Sequence, residues 1–124
     1  MAWPEIVEED GYVTVESDPT GKMIGDPGAK MDAGKDDLLT VLQTFPDALA
    51  AVSDIVKYGA EIKGYGWGAW KEVPQGEERY KRAAIRHLIA YGNDDESHLS
   101  HAAHAAFNAL AVLSFEIERK RDTQ

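Results

Sequence analysis

The run DDESHLSHAAHAAFNALAVLSFEIERK, residues 94–120, limits the fold more than any other part of the chain. Leu99, Ala103, Ala106, Leu110, Leu113 and Ile117 recur with spacing 4-3-4-3-4, which predicts one long helix from about Asp95 to Lys120 with an apolar stripe that packs on other helices. Half a turn away lies a second stripe of Asp94, Ser97, His101, His104, Asn108, Val112 and Phe115, polar for its first turns and apolar afterwards. A solvated face would stay polar to its end. Both sides of this helix are therefore expected to be buried, with the polar stripe lining an internal site.

The segments before it read as three shorter helices. Asp36 suits a cap for a helix over DLLTVLQTF, which Phe45-Pro46 ends, because the residue before proline avoids the helical region. Pro46 fits the first turn of a second helix running to about Lys63, with Gly64 as its stop and Phe45, Leu49, Val52 and Val56 as its apolar face. A third helix fits Glu77 to Tyr91, with His87 on the same side as Tyr80, Ala84, Leu88 and Tyr91. Between them, GYGWGAWKEVPQG (64–76) is a loop whose length and two tryptophans suggest function. Residues 1–34 are rich in glycine and proline and read as an irregular arm with at most a short hairpin at GYVTVES. The expectation is one all-α domain, a four-helix bundle-like body over 35–124 preceded by that arm.

Net charge is −9, which argues against a nucleic-acid polymer as partner, since such domains carry a basic face toward the phosphate backbone. The charge is uneven. Residues 57–86 hold seven bases against four acids, enough to attract a small anion. With no cysteine, thiolate chemistry and disulfides are excluded. No apolar run reaches membrane-spanning length and no leader pattern is present, so a soluble, cytoplasmic protein without membrane partners is expected.

All four histidines fall between Arg86 and Asn108. His101 and His104, three apart on one helix face with Asn108 a turn further on, aim two imidazoles and an amide at one patch that Asp94 or Asp95 can reach. Imidazole with carboxylate is a plausible metal shell, suiting Mn, Fe, Zn or Ni better than Mg; buried hydrogen-bonded histidines are the other reading. His87 on a neighbouring helix favours the metal, and His98 points sideways as a surface residue. Trp67 and Trp70 can stack on a base or close the core, and Lys57 and Arg86 can hold phosphates. GDPGAKMDAGK (25–35) lacks the spacing of a phosphate-binding Walker loop.

The segments GAKMDAGK, KYG, VPQGEERY, RHL, DES and LSHAAHAAFNAL, in this order with a tryptophan between the second and third, resemble the phage-encoded dATP/dGTP diphosphohydrolase family. That family includes enzymes of the 2-aminoadenine pathway. The resemblance covers roughly residues 28–116. It implies an all-α, metal-dependent enzyme that hydrolyses purine deoxynucleoside triphosphates to monophosphate and pyrophosphate, acting in the host cytoplasm with Mg or Mn. The matching positions are Lys30, Asp32, Lys35, Lys57, Tyr58, Trp67 or Trp70, Tyr80, Arg86, His87, Asp94, Glu96, Ser97, His101, His104 and Asn108. Roles follow as expectations: His87, Asp94 and Glu96 catalytic; Asp94, Glu96, His101 and His104 on the metal; Lys30, Asp32, Lys35, Lys57, Tyr58, Trp67, Trp70, Arg86 and Asn108 on the substrate. Where members tend to have glycine after Glu-Ser, this chain has His98. A triphosphohydrolase, a nucleotidase or a non-enzymatic nucleotide-binding module are the alternatives. A helix with two buried faces in a four-helix domain also suggests a homo-oligomer.

Overall fold

A computed structural model describes residues 16–123, all of it helix, turn and loop apart from one isolated bridge. Most of the suggested GYVTVES hairpin lies outside the described residues. The chain divides into two compact units, one ending at Val41 and one beginning at Leu42. In the first, loops are organised by aspartate side chains. Asp18 accepts from the backbone N–H groups of Thr20 and Lys30 at 2.6 and 2.7 Å, and these bonds, led by the Thr20 hydroxyl, hold its carboxyl below the usual range.

The second unit contains the helical body. Helix α1 (Leu38–Thr44) spans the unit boundary, and α2 (Pro46–Lys57) starts on its proline, with Asp47 in the first turn and Lys57 in the last. The residue acids and bases thus match the helix dipole. Ile55 is the buried residue of α2, with Leu49, Val52 and Val56 half-buried; Phe45, expected on this face, is exposed because it stands before the first turn. α2 passes directly into a π-helical turn over Tyr58–Ile62, and Gly64 at φ +75° ends it, close to the expected stop. The loop beyond alternates glycines at positive φ (Gly64, Gly66, Gly68), which only glycine adopts freely, before a 3₁₀ turn at Ala69–Glu72.

α3 (Gly76–Leu88) and α4 (His101–Asp122) form the most extensive helix pair, with α2 also against α4. α3 ends three residues earlier than expected, which leaves Tyr91 beyond the helix and 97% exposed, and its last residue, Leu88, is 72% exposed rather than sharing the inner side with His87. α4 begins at His101 and not near Asp95. Asp94 spends its carboxylate on the N–H groups of Glu96 and Ser97, both at 2.9 Å, and His98 takes φ +62°, a left-handed conformation that breaks any helix. That backbone conformation explains the glycine the resemblance places at this position. Ser100 then caps α4, accepting from Ala102 and Ala103.

The packing side of α4 also corrects an expectation. Ala103, Ala105, Asn108 and Ala111 are buried, while Leu110, Leu113 and Ile117 of the first stripe stay 41–49% exposed in the single chain. The second stripe is the inner one. Its apolar end joins a ring cluster in which Phe115 stacks on Tyr80 at 6.1 Å and meets Trp70 edge-on at 5.6 Å. Among the described residues no single helix is long and apolar enough to cross a membrane.

Candidate functional site

The end of α3, the start of α4 and the loop between them converge on one histidine cluster. His87 sits in the last turn of α3 and His101 is the first residue of α4, tied there by its N–H to the Gly92 carbonyl at 3.0 Å. The loop is closed on itself by bonds from Asp94 N–H to the Leu99 carbonyl and from His98 N–H to the Asp94 carbonyl, each 2.8 Å. This fixes Asp94 opposite the two rings. Nδ1 of His87 and Nδ1 of His101 lie 2.9 Å apart, so one ring donates its N–H to the lone pair of the other. Ligand atoms of His87, Asp94 and His101 all fall within 4.8 Å of one another. Two imidazoles and a carboxylate, half-buried and convergent, form a donor set that fits a divalent transition metal.

His104 is held differently. Its ring lies parallel on His87 with centroids 4.6 Å apart, and its Nε2 is 2.7 Å from the Ser97 hydroxyl. That hydroxyl also accepts from the Leu99 N–H at 3.1 Å, which ties the ring to the loop before α4. Asn108, buried at 6% exposure, donates to the His104 carbonyl at 2.7 Å.

From His104 and Asn108 the site opens into a cleft of about 660 Å³. Its walls are aromatic and apolar, from Tyr58, Tyr65, Trp67, Trp70, Tyr80 and Phe107. Trp70 is part of the wall, gripped by the Tyr80 and Phe115 rings, and its carbonyl accepts from the Tyr80 hydroxyl at 3.2 Å. Among the described residues Trp67 has no such ring neighbours, and it is 63% exposed. The volume falls within the range of small-molecule sites, and such a mixture of flat rings with a few polar groups is their usual lining.

A family model for dATP/dGTP diphosphohydrolase, N-terminal, matches residues 25–124. The chain belongs to this family. No curated protein and no solved structure matches. The dATP/dGTP diphosphohydrolase family is a hydrolase family, and its matched region holds every residue of the cluster and the cleft.

Within the family match, the structure brings together only some of the residues singled out from sequence. His87, Asp94 and His101 form one group, and Tyr58, Trp67, Trp70, His104 and Asn108 line the cleft. Glu96 stands apart from that group, with its carboxylate 2.8 Å from Lys63 Nζ and 3.5 Å from the Tyr58 hydroxyl. Lys57 and Arg86 are exposed and do not line the cleft. Lys30, Asp32 and Lys35 belong to the N-terminal unit, where Lys35 pairs with Glu16 at 3.9 Å. Lys63, Tyr65 and Phe107 line the cleft without having been foreseen. For Lys63 the signal was weak, since an α-helical wheel through residue 63 ignores the π turn that places it.

Burial pushes His87 and His104 below the ordinary histidine range, with the neighbouring rings acting in the same direction. Backbone N–H donors, Ser97 first, hold Asp94 below its ordinary value. The unfolded chain therefore takes up protons on these histidines near pH 6.5 while the folded chain resists them. Stability contributed by the neutral cluster is present above that pH and falls as pH drops through the folded pKa values. In urea melts between pH 8 and 5 the unfolding free energy should decline below about pH 6.5. The His87→Asn, His104→Asn double variant should show a shallower decline, and an unchanged slope would remove the histidines from the explanation.

Proposed function

We propose that this protein hydrolyses purine deoxynucleoside triphosphates, dATP or dGTP, to the monophosphate and pyrophosphate with the help of a divalent metal. The observation that carries the reading is the placement, in a member of this family, of an aromatic cleft beside a group of two histidines and an aspartate. His87, Asp94 and His101 would hold the metal, and the imidazole-rich set favours Mn over Mg. When bound, the cation supplies neutralisation of charge on the phosphate oxygens. The chain's own contribution is orientation. Trp67 offers an exposed ring for a purine, Trp70 and Tyr80 are further aromatic lining of the same cleft, and His104 joins the cleft to the metal group through its stack on His87. Positioning of this kind supplies much of the rate in phosphoryl chemistry. The stripe of Leu110, Leu113 and Ile117 left at the surface supports assembly into a homo-oligomer through α4.

The test is incubation with each of the four deoxynucleoside triphosphates and Mn or Mg, separating pyrophosphate from orthophosphate. Purine-selective release of monophosphate with pyrophosphate is expected. Tripolyphosphate or orthophosphate as the product would assign a different hydrolysis, and no product with either metal would remove the enzymatic reading. In the same assay Trp67→Ala should raise KM about tenfold, since a base stacked on an aromatic ring is worth about 1–3 kcal/mol. Its melting temperature should stay near wild type because Trp67 is largely exposed. An unaltered KM would place the purine elsewhere.

A further inference from the structure

The cleft needs a cation for an anionic ligand, and its lining offers a single one. Among the described residues Lys63 is the only lysine or arginine that lines it, and no aspartate or glutamate does. In a chain of net charge −9, an incoming polyphosphate is repelled by the protein as a whole and depends on local positive charge. Lys63 is fixed in place by its surroundings. Its N–H bonds to the Tyr58 carbonyl at 2.9 Å at the end of the π turn. Its ammonium group lies 5.5 Å from the centre of the Tyr58 ring and 5.8 Å from that of Tyr65. Two aromatic faces attract and orient the charge without neutralising it.

Neutralisation comes from Glu96, at 2.8 Å. The pair is lopsided: the Lys63 side chain is 33% exposed and that of Glu96 is 69% exposed. The carboxylate therefore approaches from the water side, on the loop that Asp94 organises by accepting the Glu96 N–H. An ion pair open to water contributes on the order of 0–1 kcal/mol, so little holds Glu96 against a competitor. A polyphosphate carries several charges and is such a competitor, and a lysine ammonium is a compact point charge suited to phosphate oxygens.

We propose that Lys63 is the phosphate anchor of the cleft and that Glu96 is its resting counter-ion, displaced when a polyphosphate enters. This rests on the reading that the cleft receives a nucleoside triphosphate. Lys63 acts on binding, in place of Lys57 and Arg86, whose side chains lie outside the cleft lining. Glu96 keeps the anchor oriented while the cleft is empty and returns to it when product leaves.

The experiment is calorimetric titration of the full-length protein, with a chelator present to prevent turnover, using inorganic tripolyphosphate and deoxyguanosine as separate probes. Lys63→Gln should weaken tripolyphosphate at least tenfold, about 1.4 kcal/mol, and leave deoxyguanosine within twofold. Lys63→Arg should keep most of the affinity, and Glu96→Gln should tighten tripolyphosphate several-fold by removing the competitor. Equal affinity of Lys63→Gln and wild type for tripolyphosphate overturns the proposal. So does an equal loss of both probes, which would make Lys63 a wall residue, and so does a wild type that binds no tripolyphosphate. Binding of tripolyphosphate that depends on Lys63, without binding of the nucleoside, would uphold the anchor and sink the purine reading. Pyrophosphate release from dGTP by Lys63→Gln with a wild-type KM would do the reverse.

Discussion

Replacing His101 with alanine is expected to lower turnover of dATP or dGTP at least about 100-fold, while the protein stays folded. The size follows from the position of the ring. Groups that merely support metal ligands cost 10–100-fold when removed, and a ligand itself costs no less. His101 meets His87 at 2.9 Å and shares the 4.8 Å group with Asp94, so its loss leaves one imidazole and one carboxylate where there were three donors. Folding should survive because the start of α4 depends on the Ser100 hydroxyl, which accepts from two N–H groups of the first turn. Alanine is also the best helix former at that point. The measurement pairs turnover with circular dichroism and with binding of Mn to the protein alone. Loss of both turnover and Mn binding at unchanged helicity is the expected result. Activity within a few-fold of wild type would mean that the three residues converge for a structural reason, as two histidines sharing a proton beside an aspartate also can.

How far the site was legible beforehand depends on the physics behind each part. The inner stripe of α4 could be read, because a face that changes from polar to apolar along one helix cannot be a solvated face, and Asn108 is indeed among the most buried residues. The start of the same helix could not. Wheel geometry extends a helix back through Asp94–Ser97, whereas the chain there is bent by a side chain bonding its own backbone and by a left-handed residue at His98. Both effects are local competitions that periodicity does not register. The outer stripe reads as a packing face on hydrophobicity alone, which says that Leu110 and Leu113 favour burial and not what buries them. Lys63 escaped for a different reason: a π turn inserts an extra residue into the ladder and rotates everything after it, and no composition signal marks where this happens.

Phe115→Ala should be the most damaging single substitution for stability, at about 3 kcal/mol, the lower end of the range for removing a phenylalanine from a core because this ring is only half-buried. Few apolar residues are buried among those described: Ile55 and three alanines. The rings of Trp70, Tyr80, Phe107 and Phe115 thus carry much of the packing that joins α3 and α4, through contacts of 5.6 to 6.4 Å between centroids. Gly76 shows how closely Phe115 is fitted. A Cβ at Gly76 would lie 2.5 Å from Cζ of Phe115, so Gly76→Ala must push the ring aside and should lose about 1–3 kcal/mol by overpacking. In a chain that already has Phe115→Ala the obstruction is gone, and Gly76→Ala should then be neutral or stabilising, since alanine is favoured over glycine in a helix by about 1 kcal/mol. Urea unfolding of the two single variants and the double variant gives the coupling directly. Additive losses would show that the contact between Gly76 and Phe115 does not set the packing. Because Phe115 also braces Trp70, the variant should, on the proposed function, bind a purine nucleoside more weakly at temperatures where it is still folded, yet bind Mn as the wild type does. That separation would show that the cleft wall and the metal group are supported by different ends of the same helix.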